Sequence, residues 1–292
     1  MEKVLILGAT GMLGNACEKL FLHSSKNDVI STSRNQYGNS VQFDAKTDPV
    51  AVLLEKVEPD WIINCIGVIK PHINEGLYSS TQNAIEINSL FPHRIAEAIE
   101  GTSTKVIQIA TDCVYSGLIG SYTESQPHDA IDVYGKTKSL GEVSSESFIH
   151  LRASIIGPER ARSTSLLEWF LGQETDAEVN GFTDHLWNGI TTHHFAKLAL
   201  SITETNLFFP GVKHVIPGDT VAKAELLEYF KEVYGRSDIV VNRVESTKKI
   251  DRTLSSTQKD FSNDLWLASG YRSAPTVQQM VQEQFDFNQL HV

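Results

Sequence analysis

No stretch of this 292-residue chain approaches the roughly 20 consecutive apolar residues that cross a bilayer, and the first apolar run, Val4–Leu7, is too short for a signal-peptide core. A cytoplasmic protein with no membrane partner is expected. Cysteine is scarce too: Cys17, Cys65 and Cys113 are widely spaced, with no C-x-x-C pair. Neither a disulfide framework nor a structural zinc site is expected, and a reducing compartment fits. Positive charge is in deficit, with 25 Lys and Arg against 36 Asp and Glu and a net charge of −11. Duplex nucleic acid needs the opposite balance and is not an expected partner, although a local cationic pocket for one small anion stays open. There is no internal repeat, low-complexity tract or disordered linker.

What the chain has is alternation. Val4–Gly8, Val29–Ser33, Val41–Asp44, Trp61–Cys65, Val106–Ala110 and Phe148–Ser154 read as strands. Between them, Gly11–His23, Pro49–Val57, Ser80–Ile99 and Tyr134–Ser145 carry a helical period. Apolar strands alternating with helices predict an α/β fold: a doubly wound parallel sheet of the Rossmann type, with a smaller α+β substrate lobe toward the C-terminus. After Gly157-Pro158 the pattern loosens into a helix at Ser165–Gly172, a polar loop from Glu174 to Thr192, a helix at His193–Thr203 and a strand at Val212–Ile216. Helices at Lys223–Tyr234 and Val277–Phe285 follow. The expected division is 1–156 as nucleotide-binding domain, with 190–217 returning to it, and 157–189 plus 218–292 as the substrate lobe.

Gly8-Ala-Thr10-Gly11-Met12-Leu13-Gly14 directly follows the first strand and opens the first helix. Glycines there permit the tight turn and close backbone approach to a pyrophosphate, and a helix N-terminus favours the anion. The spacing is G-x-x-G-x-x-G. An NAD site commonly ends its second strand in an acidic residue, whereas this strand ends Ser31-Thr-Ser33-Arg34, and Arg34 could receive a 2′-phosphate instead. NADP is therefore expected, with NAD as the alternative. Asp44 and Ala45 are candidate adenine contacts. Asn64-Cys65-Ile66-Gly67 ends the next strand, where ligands of such sheets sit.

Tyr134 and Lys138 stand at i and i+4, on one helix face. An ammonium beside a phenol stabilises the phenolate and would lower its pKa, making Tyr134 a candidate general acid. His193-His194 lacks a neighbouring Cys or carboxylate cluster, so packing or capping is expected and no metal site.

Together these segments resemble the extended short-chain dehydrogenase/reductase superfamily, and within it the dTDP-4-dehydrorhamnose reductase group. The motifs that carry the resemblance are the glycine loop, Ile109-Ala-Thr-Asp-Cys-Val-Tyr-Ser-Gly117, Tyr134-Gly-Lys-Thr-Lys-Ser-Leu-Gly-Glu142 and Leu151-Arg-Ala-Ser154. Asn188-Gly-Ile-Thr-Thr192 and Asp251-Arg-Thr-Leu-Ser-Ser256 resemble two further segments, so the likeness spans nearly the whole chain. It implies a triad of Thr111, Tyr134 and Lys138, with Tyr134 as proton donor, Thr111 holding the substrate oxygen and Lys138 the nicotinamide ribose. It gives Asn88 a supporting place beside the site.

The implied reaction is NAD(P)H-dependent reduction of a nucleotide-linked 4-keto-6-deoxy sugar for deoxysugar and polysaccharide biosynthesis, with a homodimer allowed. Arg160, Arg162 and Arg252 are candidates for the substrate's diphosphate, Trp187 and Phe182 for stacking, and Asp112 and Cys113 for contact with the sugar. Three departures stand out. Ile131-Asp132-Val133 replaces the usual Pro and Asn before the tyrosine, Thr111-Asp112-Cys113 lacks the second acid of a 4,6-dehydratase, and the Asn180–Asn188 loop is unlike the group's. Cys113 opens one alternative, a bifunctional 3,5-epimerase/4-reductase with the cysteine as base, although Glu168 falls where such enzymes carry the assisting lysine. A second alternative is a non-catalytic NADP-binding regulatory subunit, a role taken in this group by the β subunit of methionine adenosyltransferase.

Overall fold

The computed structural model of the protein describes residues 1–160, 164–205 and 207–290. Its centre is a sheet of seven parallel strands, from edge to edge Gly211–His214, Phe148–Arg152, Lys105–Ala110, Trp61–Asn64, Glu2–Leu7, Asn27–Ser33 and Val41–Gln42. The chain starts inside the sheet, winds to one edge, then reverses to the other. A crevice therefore opens at the carboxyl ends beside Glu2–Leu7, where doubly wound sheets bind ligands.

Alternating side chains explain why both faces are covered. Val4 and Ile6 enter one core with Leu13, Cys17 and Phe21 of helix Met12–Leu22 and Phe195, Leu198 and Ile202 of helix Thr192–Thr205. Leu5 and Leu7 enter the other core with Leu53 and Leu54 of helix Val50–Val57 and Phe91 and Ile95 of helix Phe91–Ala98. The segment after Ile190 thus packs on the first lobe, and Gly211–His214 adds the last parallel strand beside Phe148–Arg152. His194 is fully buried, its Nδ1 sharing a hydrogen bond with Thr191 Oγ1 at 2.7 Å, and His193 stacks on Phe287.

Several extents differ from expectation, each for a local reason. The third strand stops at Gln42 rather than Asp44, because Asp44 turns the chain: Oδ1 accepts from Lys46 N at 2.9 Å, and its N–H donates to Asp48 Oδ2 at 2.8 Å. The polar stretch from Glu174 to Thr192 is not a loop. Glu178–Phe182 pairs in parallel with Val240–Val244, and His185–Trp187 lies between Val221–Ala222 and Ile250–Asp251. These strands are short and polar, and their partners lie far away in sequence. Helix Lys259–Ala268 is a further element. Val179, Trp187, Leu226, Phe230, Val241 and Val281 are part of a separate small core in the second lobe.

The predicted helix Ser80–Ile99 is continuous from Tyr78 to Ala98, but Ile85–Leu90 forms a wide π turn within it. Pro92 has no N–H for the Asn88 carbonyl four residues earlier. Against that carbonyl lies Gly141, where a Cβ would stand 1.9 Å from Asn88 O. Gly141 also ends helix Val133–Leu140, which is shorter than the expected Tyr134–Ser145.

Candidate active site

The glycine loop lies at the carboxyl end of Glu2–Leu7. Gly8 takes φ +87°, which L side chains rarely adopt, and a Cβ on Gly14 would stand 2.1 Å from Gly8 O. Gly11 differs: its nearest protein atom to a Cβ would be 3.4 Å away, so the fold does not require glycine there, and the missing side chain leaves the loop's exposed face bare. As N-cap of Met12–Leu22, Gly11 supplies no side-chain acceptor to the first amides, and the first turn holds no acid. Bare amides and a bare loop face suit a pyrophosphate. Thr10 is exposed, whereas Leu13 buries its side chain and can offer only backbone.

On the other side of the crevice, Thr111 follows strand Lys105–Ala110 and meets helix Val133–Leu140. Thr111 Oγ1 accepts from Cys113 N at 3.2 Å and donates to Asp112 Oδ1 at 3.2 Å, and it lies close enough to the Tyr134 phenol to favour the phenolate. Lys138 is 7% exposed and donates from Nζ to Ile109 O at 2.9 Å. The three predicted side chains are therefore gathered at the carboxyl end of strand Lys105–Ala110. Their electrostatics differ from expectation. Burial, then the neighbouring Cys113 and Asp112, push the Tyr134 phenol above the usual tyrosine range against the pull of Thr111. Burial brings Lys138 down to about 8, opposed by Glu142 and Cys65. The Lys138 ammonium is committed to Ile109, so in this state it does not make the phenol more acidic. Tyr134 is a firmly protonated donor at neutral pH.

The helix bearing Tyr134 is held at both ends. Asp132 caps it, accepting from Gly135 N at 2.8 Å, and is itself paired with Lys70 at 2.7 Å. Asn88, 1% exposed on the π turn, holds its inner side: Oδ1 accepts from Val68 N at 2.8 Å, and Nδ2 donates to Val68 O at 2.9 Å and Thr137 Oγ1 at 3.2 Å. One amide thus joins the Cys65–Val68 loop to the Tyr134 helix. Asn88→Ala is expected to lower stability by about 1–3 kcal/mol, since it strands the Val68 amide and carbonyl. Urea unfolding checks this, and Asn88→Asp should cost at least as much, because it sets a buried carboxylate oxygen against the Val68 carbonyl.

Around Tyr134 lies a group that no motif announces. Lys223, the first residue of helix Lys223–Val233, has its ammonium shifted downward by burial, opposed by nearby Asp112, and it also feels Arg252 and Cys113. Arg252 donates from Nε to Tyr115 O at 2.9 Å. Asp112, 9% exposed, is raised by burial and lowered by Arg252. Cys113 is pushed up to about 12 by burial and by Asp112, against Arg252 and Lys70. Three cations, Lys70, Lys223 and Arg252, therefore lie within electrostatic reach of Asp112 or Cys113 in a chain of net charge −11. Arg252, Asp112 and Cys113 were legible from sequence. Lys223 was not, because only folding brings residue 223 to residue 112.

Other candidates stand elsewhere. Trp187 is 7% exposed, donates from Nε1 to Ser154 Oγ at 2.8 Å and packs in the second lobe's core, so it offers no open ring for stacking. Arg160 stands apart from that cluster: its guanidinium lies 4.5 Å from the Tyr37 ring centroid and donates to the Tyr37 hydroxyl, beyond the second strand. Arg162 lies outside the described residues. Ser33 is buried, bonded to Asn35 O and Ser40 Oγ, whereas Arg34 is exposed and, among the described residues, its guanidinium has no partner. Glu168 accepts from Glu159 N at 3.1 Å. Among the described residues no His, Cys, Asp and Glu cluster could hold a metal, and no helix is long and apolar enough to cross a membrane.

The parallel sheet, the glycine loop on its first strand and the grouping of Thr111, Tyr134 and Lys138 define the extended short-chain dehydrogenase/reductase class. More narrowly, the chain belongs to the family of the RmlD substrate binding domain, whose profile matches residues 1–156. It is similar to methionine adenosyltransferase 2 subunit beta of Xenopus tropicalis, 26% identical over 224 residues, which make up 73% of this chain and 66% of that protein. It is also similar to dTDP-4-dehydrorhamnose reductase of Aggregatibacter actinomycetemcomitans, 26% identical over 152 residues, 49% of this chain and 46% of the enzyme. The chain thus spans two-thirds or less of these curated relatives. Its fold matches the crystal structure of dTDP-4-dehydrorhamnose reductase from Bacillus anthracis in complex with NADP, with TM-score 0.75 and 18% identity over 98% of this chain and 99% of that one.

Proposed function

We propose that this protein reduces a nucleotide-linked 4-keto-6-deoxy sugar with NADPH as the hydride source. The observation that carries the reading is the Thr111–Tyr134 hydroxyl pair with Lys138 buried beside it, two strands across the sheet from a bare glycine loop. Backbone at Gly8–Gly14 would take the pyrophosphate, Cys65–Gly67 would flank the nicotinamide half, and Lys138 would leave Ile109 for the ribose hydroxyls. Bound NADPH supplies the hydride for the carbonyl carbon. The chain's own part is to hold that carbonyl at Thr111, deliver the phenol proton of Tyr134 to the developing alkoxide, and fix both in register. Exposed Arg34, with Arg160 on Tyr37, supports NADP over NAD, since both arginines belong to the adenosine end.

Lys223, Arg252 and Lys70 support an anionic substrate arm such as a nucleoside diphosphate. Lys223→Ala is expected to raise KM for the sugar nucleotide about tenfold or more with kcat little changed, because the lost contact is made equally in ground and transition states. A fall in kcat with KM unchanged would move Lys223 from binding to the chemical step. The thiol of Cys113, held up to about 12, argues against its acting as an epimerising base in the ligand-free state. A homodimer is proposed from the apolar residues left exposed along the paired helices, Tyr78, Leu90 and Leu140.

A second reading is favoured by the similarity to methionine adenosyltransferase 2 subunit beta: an NADP-binding regulatory subunit that performs no reduction. Incubation with NADPH and a panel of dTDP-, UDP-, GDP- and CDP-linked 4-keto-6-deoxy sugars separates the two. The reductase reading expects NADPH consumption with at least one sugar, and tight NADPH binding without turnover on the whole panel would leave the regulatory reading.

A further inference from the structure

Two of the three cysteines meet beneath the crevice. Cys65, partly buried where strand Trp61–Asn64 ends, places its Sγ 3.9 Å from Sγ of Cys17, which is fully buried on helix Met12–Leu22. The two thiols belong to the elements that form the floor of the proposed dinucleotide site. Cys65 precedes Ile66, whose Cγ1 lies 2.8 Å from where a Cβ on Gly8 would stand, and Cys17 sits one turn beyond the glycine loop. Cys65 also lies close enough to the Lys138 ammonium for their charges to interact.

The geometry points to Cys65 and Cys17 as a peroxide-reactive dithiol whose disulfide closes the dinucleotide site. The two sulfurs have unequal roles. Cys65 is the partly exposed member of the pair, at the end of a strand beside the glycine loop. Cys17 is sealed in the core, where the Cys65 sulfur and then burial disfavour its charged form. Cys65 therefore reacts first: its sulfur attacks hydrogen peroxide, an S–O bond forms, the O–O bond breaks, and the departing hydroxide takes up the thiol proton as water. Cys17 sulfur then attacks Cys65 sulfur, forming the S–S bond and breaking S–O. The hydroxyl leaves with the Cys17 proton as a second water. Two thiols are oxidised and one peroxide is reduced to two waters.

A disulfide needs its sulfurs about 2.05 Å apart, so closing the 3.9 Å gap turns both side chains about their Cα–Cβ bonds and pulls on the strand end and helix that carry them. A shift passed on to Cys65, Ile66 and the glycine loop is expected to weaken NADP binding about tenfold or more. This consequence rests on the cofactor reading, whereas the cross-link itself rests only on the thiol pair. Conversely, bound NADP covers Cys65 and slows its oxidation.

The test treats the native protein with hydrogen peroxide, alkylates the remaining thiols and maps peptides without reduction. A Cys17–Cys65 cross-linked peptide, with Cys113 still alkylated, is expected, and dithiothreitol should restore both thiols. The Cys17→Ala variant should stop at a Cys65 sulfenic acid that dimedone traps, which shows the order of attack. Absence of the cross-link, or oxidation of Cys113 before Cys65, overturns the proposal. If the cross-link forms but NADP affinity is the same before and after, the dithiol stands and the claimed closure of the site fails. Failure of unoxidised protein to bind NADP at all would instead refute the cofactor reading, with the peptide map unaffected.

Discussion

Tyr134→Phe is expected to lower kcat for NADPH-dependent reduction by about 10²–10⁴-fold, the usual share of a positioned proton donor. The change removes one oxygen. Thr111 keeps its bonds to Asp112 and Cys113, the Asp132 cap and Asn88 still hold the helix, and NADPH affinity should be nearly unchanged. The expected cost in stability is about 0.5–1.5 kcal/mol. Because burial raises the phenol pKa, Tyr134 stays protonated through neutral pH, and the native reaction should show no loss from its ionisation until strongly alkaline conditions. Steady-state kinetics with paired calorimetric titration of NADPH distinguish loss of chemistry from loss of binding. Retained turnover in the variant would assign the proton to another group.

Arg152→Ala should be the most damaging single substitution away from the site. Arg152 is 1% exposed on strand Phe148–Arg152 and donates to Glu142 Oε1 at 3.1 Å and Oε2 at 2.6 Å, to Tyr115 Oη at 2.7 Å, to His214 Nε2 at 2.9 Å and to His128 Nε2 at 2.8 Å. One guanidinium thereby ties Glu142, just after the Tyr134 helix, to two strands and to the loop after Thr111. Its removal leaves the Glu142 carboxylate buried without its partner, a loss of about 3–5 kcal/mol. The Arg152→Met, Glu142→Met pair should recover part of that, because no uncompensated charge remains. Urea unfolding of the single and double variants checks both statements.

The same cluster gives a pH dependence with a definite sign. His128 and His214 both accept from Arg152 at Nε2, so each must be neutral, with Nδ1–H on Ser139 Oγ at 2.6 Å and on Ser255 O at 2.7 Å. Burial lowers both, His214 to about 4. Their folded values lie below the unfolded value of about 6.5. The unfolded chain therefore takes up protons first as pH falls, so this stability is complete above about pH 6.5 and is lost from there toward 4. The urea midpoint of the native protein should drop across that window, and the drop should be smaller in His214→Gln.

How far the sequence foretold the molecule depends on where the signal lay. Strands such as Val4–Leu7 and Val106–Ala110 are unbroken apolar runs because both sheet faces bury them, and they were legible. Thr111, Tyr134 and Lys138 were legible as a pattern because chain order and helical spacing bring them together. Strand Val240–Val244 was not, since Asn242 and Arg243 break its apolar alternation and its partner Glu178–Phe182 lies some sixty residues away. Trp187 and Arg160 were misplaced because an aromatic or cationic side chain states a capacity and not an address. Packing sent one into a core and the other to Tyr37. Lys223 and the Cys17–Cys65 pair have no local signature at all. Nor could spacing foretell that Lys138 would be spent on Ile109 and leave Tyr134 harder to ionise.

The proposed chemistry is transfer of a hydride and a proton to a sugar carbonyl at this site. The most direct measurement is transfer of deuterium from NADPH labelled at nicotinamide C4 to a 4-keto-6-deoxy nucleotide sugar, read by mass spectrometry of the product. The expected product is a 4-hydroxy sugar carrying one deuterium on C4 from one face of the nicotinamide, formed by native protein and suppressed in Tyr134→Phe. Protein that binds NADPH yet leaves every such sugar unreduced, or a Tyr134→Phe variant that transfers deuterium as fast as the native chain, would contradict it.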